Sequence, residues 1–311
     1  MSLGTYLDEL ADTGRPLKTA RLTNLTQLSD GERRDFGAKW ALIDPERRLQ
    51  IVQRLSDLAE DNAELNFDTV LMQCLTDPDP RVRSAAIEGL WEYEERDLIA
   101  PLLDLLRHDE DARVRANVAL ALGRYVVLGE FERLQPADLT AIEDALAETA
   151  HDPAEPDEVR ARAIEAIGAR SEPWVRDLIA EAYTSGVQRL QVSAIHAMGR
   201  SCDADWLDEV LEQFRSDDAE MRYEAATAAG MIGEERAVPE LVDLIDDEDS
   251  EVQETAIEAL AEIGGPEARG ALKQRTRHPD ARIRELAGEA LASMELAGTP
   301  VDDDDEGGAG L

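Results

Sequence analysis

The side chains that could do chemistry in this 311-residue chain are few: four histidines, two cysteines and a large excess of carboxylates. The residues that follow His108, His151, His196 and His278 are Asp109, Asp152, Ala197 and Pro279, so no His-Glu pair forms. His108, His151 and His278 each precede an expected turn between helices, where a helix C-terminus favours imidazole without any ligand. Capping is therefore their expected role. Cys74 and Cys202 stand far apart without CxxC spacing, which gives neither a disulfide framework nor a zinc site; both are expected to be free, buried thiols. No nucleophile with a base, no glycine-rich phosphate loop and no Walker-type spacing occurs. The sequence thus predicts no catalytic residue, no metal site and no cofactor.

The elements that would have to position any site are legible as a repeat. With Val252 of "DSEVQETAIEALAEIG" as position zero, the same pattern recurs at Val82, Val114, Val159, Leu190, Met221 and Ile283. Each interval from Val159 onward is 31 residues, and the first is 32. The step from Val114 to Val159 is longer by 14 residues, in "RYVVLGEFERLQPADL", which reads as an insertion or a lengthened helix. One period of this size marks a repeat array. Position four is Ala or Val throughout, and position seven is Ala or Gly. Positions zero, four, seven and eight share one helical face, and the small residues admit a close neighbour. A leucine-rich segment such as "RDLIAPLLDLLR" precedes each alanine-rich one. Acids such as Asp249 and Asp217 are expected to supply an N-cap or a favourable charge at the helix start, and Gly123, Gly168, Gly199, Gly233 and Gly264 are expected near left-handed C-caps. The unit is helix, turn, helix. Because one such pair cannot bury its apolar face alone, the pairs must stack.

The pattern "DPDPRVRSAAIEGL", echoed in "DEDARVRANVALALG" and "DPDARIRELAGEAL", resembles the short HEAT-like repeats named after phycobilin lyases, over about residues 68–295. The resemblance implies an all-α, right-handed α-solenoid, an armadillo-type superhelix of about seven helical hairpins. Residues 1–67 are expected to form an N-terminal helical cap, with a capping-box spacing at Ser29 and Glu32 and an N-cap at Asp44 ahead of Pro45. Residues 296–311, acidic and glycine-rich, are expected to be disordered. The Arg after position zero (Arg83, Arg115, Arg160, Arg222, Arg284, with Gln191 and Gln253 in the other copies) could form an anion ladder. The resemblance implies instead that it pairs with an Asp of its own preceding turn, such as Asp77 or Asp109. Iron-binding hydroxylases of this class use His-Glu neighbours, which are absent.

HEAT-like arrays mostly bind proteins along the concave face lined by the second helix. Helical geometry aims His196, at position six, toward that face, and gathers Glu88, Trp91, Arg124, Arg162, Glu165, Arg200, Tyr223, Glu224, Glu254, Glu258 and Glu289 around it. Trp91 and Tyr223 have the character of interface anchors, although Trp91 could equally pack beneath the N-terminal cap. Between 237 and 268 there are eleven acids and no Lys or Arg, a run that reads either as a solvated face or as contact for a basic partner. The expected partner-binding residues are Trp91, Glu88, Arg124, Arg162, His196, Arg200, Tyr223, Glu254 and Glu258. The expected function is a non-catalytic scaffold for a protein or peptide with a basic surface. The alternative is a phycobilin-lyase-like enzyme or enzyme subunit holding a small ligand in the groove.

Charge narrows the partners. With 69 acidic and 32 basic residues the chain carries a net charge of -37, a field that repels nucleic acid and anionic membrane alike. The first residues lack the basic stretch of a signal peptide, and no apolar run approaches the roughly 18 residues of a membrane span. A cytoplasmic location is the expectation.

Overall fold

A computed structural model describes residues 3–297, and every regular element among them is helical. The described residues divide into two compact units after Arg170. The first contains α1 (Leu3–Leu10), α2 (Asp30–Trp40), α3 (Pro45–Asp61), α4 (Asp68–Cys74), α5 (Pro80–Gly89), α6 (Ile99–His108), α7 (Ala112–Glu130), α8 (Pro136–His151) and α9 (Asp157–Ile167). Within it α3, α5, α7 and α9 pack in sequence as one layer. Of the remaining helices, α4 packs on α5, α6 on α7 and α8 on α9. The second unit contains α10 (Pro173–Thr184), α11 (Gln188–Arg200), α12 (Leu207–Gln213), α13 (Ala219–Ile232), α14 (Val238–Leu244), α15 (Ser250–Ile263), α16 (Gly265–Arg275) and α17 (Ala281–Ala297). It repeats the plan, with α11, α13, α15 and α17 as one layer and α10, α12, α14 and α16 as their hairpin partners. Each unit is a stack of helical hairpins, the α-solenoid architecture that the repeat predicts.

The repeat positions account for the packing. Every residue at position zero is buried, and every residue at position four, from Ala86 to Ala287, is fully buried. Asp79, Asp111, Asp218 and Asp249 cap the second helices, their carboxylates accepting from the backbone N–H two residues on at 2.8–3.0 Å. The cap of α13 is Asp218, and Asp217 stands one residue ahead of it as a charge at the helix start. At the N-terminal end, Asp44 Oδ1 accepts from Glu46 N–H at 3.0 Å, and Glu32 accepts from Ser29 N–H at 3.0 Å, as their spacing predicts.

The glycines divide differently from expectation. Only Gly233 adopts a left-handed C-cap (φ 77°), and Gly264 has positive φ with a different ψ. Gly168 caps α9 in a right-handed conformation. Gly123 and Gly199 lie inside helices, where a Cβ would stand 3.2 Å from Ala166 Cα and 2.6 Å from Ala228 Cα. These two serve close helix approach rather than termination. The 14-residue excess is shared by a lengthened α7 of 19 residues and a lengthened α8 of 16, joined by a turn where Phe131 is 71% exposed. Cys74 is buried, and burial pushes its thiol well above the ordinary value; Cys202, expected to be buried, is exposed in a turn with φ 49°. The expected disordered tail begins too early: Leu296 and Ala297 belong to α17, and 298–311 lies outside the described residues.

Candidate interaction surface

The recurrent arginine connects hairpins. Arg83 donates Nη1 to the carbonyl of Asp77 in its own turn at 2.7 Å, then reaches forward to the next hairpin's Asp109 through Nε and Nη2, both at 2.7 Å. Arg222 repeats this arrangement, with the Ser216 carbonyl at 2.8 Å and Asp247 gripped twice at 2.8 Å. Arg115 holds the Asp109 carbonyl and, since Ala154 stands where the aspartate would be, Glu155 at 2.8 Å. Arg48 of α3 does the same for Asp77 (3.0 Å), so α3 supplies the first rung. The expectation that each Arg pairs with the Asp side chain of its own turn is therefore corrected. For Arg83, Arg115 and Arg222 the carbonyl is from the arginine's own turn and the carboxylate from the next hairpin, whereas Arg160 holds the Ala150 carbonyl and Asp157 of its own helix. Burial alone would raise the Asp247 carboxyl, but the Arg222 hydrogen bonds and the Asp249 amide outweigh it and hold it below its ordinary value. Two parallel charge-assisted bonds fix geometry as well as energy, which suits a device that sets hairpin spacing.

In the first unit the second-helix layer carries an open groove of about 510 Å³, lined by Gln53, Arg81, Glu88, Arg113, Asn117 and Arg162 among others, with Ala85 and Ala116 in its floor. The predicted residues Glu88 and Arg162 thus share a site. Asn117 donates to Glu88 at 2.7 Å, and Arg162 pairs with Glu158 at 2.9 Å and Glu165 at 2.8 Å. Glu165 is only 5% exposed, so its expected place on the open face is corrected; the carboxylate is turned against Arg162. Trp91 is not in this groove. The helix α5 stops at Gly89, so extrapolating its geometry two residues further misplaces the indole. It is 58% exposed and borders a separate cavity of about 250 Å³ with Phe67, Leu71 and Tyr93, in which neither concave display nor packing under the cap describes it fully. Arg124 donates Nη1 to the carbonyls of Leu90 and Trp91, both at 2.7 Å, and so fixes that turn.

In the second unit, Tyr223, Thr227 and Met231 form an i, i+4, i+8 row on α13, with Tyr223 38% and Met231 39% exposed. His196 Nδ1 lies 3.1 Å from Glu224 Oε2. On α15, Glu258 is exposed and Glu254 pairs with Arg282 at 3.2 Å. Arg200 is half-buried at the C-terminus of α11. Glu262 is exposed as a residue but comes close to Gly230 of α13; partial desolvation there, then the nearby Glu258 charge, pushes its carboxyl above its ordinary value. Much of the acid run is structural: Asp247 and Asp249 serve the rung and the cap, and Asp246 meets Arg275 and His278. The nine predicted residues accordingly separate into Trp91, Glu88, Arg124 and Arg162 in one unit and the other five in the other.

The family model described as HEAT repeats matches residues 69–155 and 207–292, more than half of the chain. The chain belongs to the HEAT-repeat family. Among solved structures it is similar to the complex of CpcE and CpcF of phycocyanin lyase from Nostoc sp. PCC7120, at 17% identity and TM-score 0.52, covering 91% of this chain and 97% of that one. It is also similar to yeast importin-beta, at 14% identity and TM-score 0.54, covering 97% of this chain and 47% of that one. These likenesses show the fold. No curated protein matches the sequence.

Within these HEAT repeats His108 and His151 cap helix ends as expected, whereas His278 lies past the end of α16 and does not. His108 Nδ1 lies 3.2 Å from the Asp104 carbonyl, and His151 Nδ1 lies 2.8 Å from that of Ala147, each four residues back. His278 bonds Asp246 and accepts from the Asp280 N–H. Among the described residues no group of His, Cys, Asp and Glu converges as a metal site would require. No helix among them is long and apolar enough to cross a membrane.

Proposed function

We propose that this HEAT-repeat protein is a non-catalytic scaffold that docks a protein or peptide on its second-helix faces, and that the partner's contact segment is basic with apolar side chains between its charges. The observation that carries this reading is the α13 row: Tyr223 and Met231 stand exposed on a helix that also bears Glu220 and Glu224. Aromatic and methionine side chains are enriched at interface centres, and a carboxylate rim favours and steers cationic partners. Glu254, Glu258, His196 and Arg200 frame this anchor. In the first unit the groove at Glu88 and Arg162 and, apart from it, the turn at Trp91 that Arg124 holds offer further contact regions. The similarity to yeast importin-beta, whose binding induces the switch loops of RanGDP to adopt the GTP-bound conformation, supports the general role of such a fold without naming a partner. The strong acidity disfavours nucleic acid and anionic membrane as partners, and a cytoplasmic location agrees with this reading.

A phycobilin-lyase-like role, with a small ligand held by the array, has one observation in its favour: the aromatic-lined cavity at Trp91, Phe67 and Tyr93. Its volume of about 250 Å³ falls below the ~300–1,000 Å³ of ordinary ligand pockets, so this reading ranks second.

Selection from a random peptide display library tests the choice. Enriched peptides should combine Lys or Arg with apolar residues, and Tyr223→Ala or Glu258→Lys should weaken their binding about tenfold, or ~1.4 kcal/mol. Peptides without a basic bias, or equal binding by both variants, would count against the proposal; a retained absorbing ligand lost in Trp91→Ala would favour the second reading.

A further inference from the structure

The most basic stretch of this acidic protein is its last hairpin. Between 269 and 284 there are six basic residues (Arg269, Lys273, Arg275, Arg277, Arg282 and Arg284) and one acid, Asp280. Two of the six are used internally, Arg275 by Asp246 and Arg282 by Glu254. Arg269, Lys273, Arg277 and Arg284 are exposed, and none has a carboxylate partner among the described residues. Arg284 is also the continuation of the arginine ladder. Its Nη1 donates to the carbonyls of His278 and Pro279, both at 2.8 Å, as Arg83 and Arg222 hold the carbonyls of their own turns. That bond orients the guanidinium for the carboxylate which the next hairpin supplies to Arg83 and Arg222, and α17 is followed by no further described hairpin.

We infer that this basic end is a docking surface for the chain's own acidic segment, residues 302–306, which consists of four aspartates and a glutamate. The reach is sufficient. Arg284 lies 13 residues before Ala297 on α17, about 20 Å at 1.5 Å per residue. The nine residues from 298 to 306 can extend to about 30 Å. Tethering decides between this occupant and a free anion. A free polyanion must approach a protein of net charge -37, whereas a covalent link of a few residues presents the segment at an effective concentration of order millimolar. Docking would place an aspartate where the ladder expects one and offset the four unpaired cations.

Paramagnetic relaxation enhancement in the full chain is the test, with Cys202→Ser and a nitroxide on Ala309→Cys, Cys74 being buried. At low salt the label should broaden amides between 269 and 284 selectively. The broadening should be lost in 1 M salt, where the Debye length is about 3 Å, and when residues 302–305 become Asn and Glu306 becomes Gln. Arg284→Gln should reduce it; this substitution keeps a donor for the turn carbonyl, as Gln253 does for Asp247 at 2.6 Å, so the fold is retained. Even or absent broadening, indifference to the tail substitutions, or broadening that grows with protein concentration and so reports a second copy, would each overturn the inference.

Discussion

Arg222 and Asp247 belong to successive hairpins and face each other through two parallel hydrogen bonds of 2.8 Å, with both side chains nearly excluded from water. A third bond, from Arg222 Nη1 to the Ser216 carbonyl, fixes the guanidinium before it meets the carboxylate. Arg83 and Asp109 repeat the arrangement, an arginine after position zero meeting a carboxylate five residues before the next position zero. Arg160 departs from it: Ser185 stands at that place, and the arginine turns to the Ala150 carbonyl and Asp157 instead. At two further steps arginine and carboxylate are absent together. Where the arginine gives way to Gln191 or Gln253, the next hairpin offers Ser216 or His278 instead of Asp. Glutamine donates to the turn carbonyl but carries no charge that would need a buried counterion.

From this matching, Arg222→Gln alone should cost about 3 kcal/mol, because Asp247 is left as a buried charge without its cation. Adding Asp247→Ser recreates the natural Gln191–Ser216 combination and should recover much of that loss. Urea denaturation followed by far-ultraviolet circular dichroism measures both. A double variant no more stable than the single one would refute the matching.

Glu262 gives a prediction of opposite sense from a capped or paired acid. Partial desolvation and the Glu258 charge raise its carboxyl above the ordinary value of 4.5, so the fold favours the protonated form. Stability from this group is fully present below pH 4.5 and is lost as pH rises through the elevated value. Glu262→Gln should accordingly raise the unfolding midpoint at neutral pH and make no difference in acid below the ordinary value. Thermal melts across that range check it; a variant less stable at neutral pH would mean that Glu262 is held by a favourable contact.

What the sequence revealed and what it concealed follows from the range of the forces involved. Val82 through Ile283 report a face that must be buried, and burial at fixed spacing is legible because helix geometry is local. The direction of the ladder is not local. Asp77 lies six residues before Arg83, yet the carboxylate Arg83 holds is Asp109, 26 residues on, which only the stacking of hairpins brings near. Trp91 departs from the helical register because α5 ends two residues earlier, and a side chain beyond a helix end no longer follows the helical rotation. Glu165 sits at the register of exposed Glu88 and Glu258, but its burial depends on what packs around α9, which position number does not encode. Gly123 and Gly199 read as helix stops, whereas Gly233 is one; the difference lies in the neighbour, Ala166 or Ala228, that each interior glycine admits.

Gly199 and Gly37 turn that last distinction into a measurement. Both lie within helices, where Gly to Ala alone should stabilise by about 1 kcal/mol through backbone entropy. At Gly37, in α2, the nearest atom to an added Cβ is Gln73 Oε1 at 4.0 Å, so Gly37→Ala should realise that gain. At Gly199 the same methyl would stand 2.6 Å from Ala228 Cα and 2.9 Å from its Cβ, and backbone cannot swing aside as a flexible side chain can. The helices α11 and α13 must separate, and overpacking of this kind costs about 1–3 kcal/mol, enough to cancel or reverse the entropic gain. Because each hairpin touches only its neighbours, the loss should appear first as faster amide hydrogen exchange in α11 and α13, with α3 and α5 unaffected. Equal stabilisation by both substitutions would show that the contact between α11 and α13 is looser than a glycine requires.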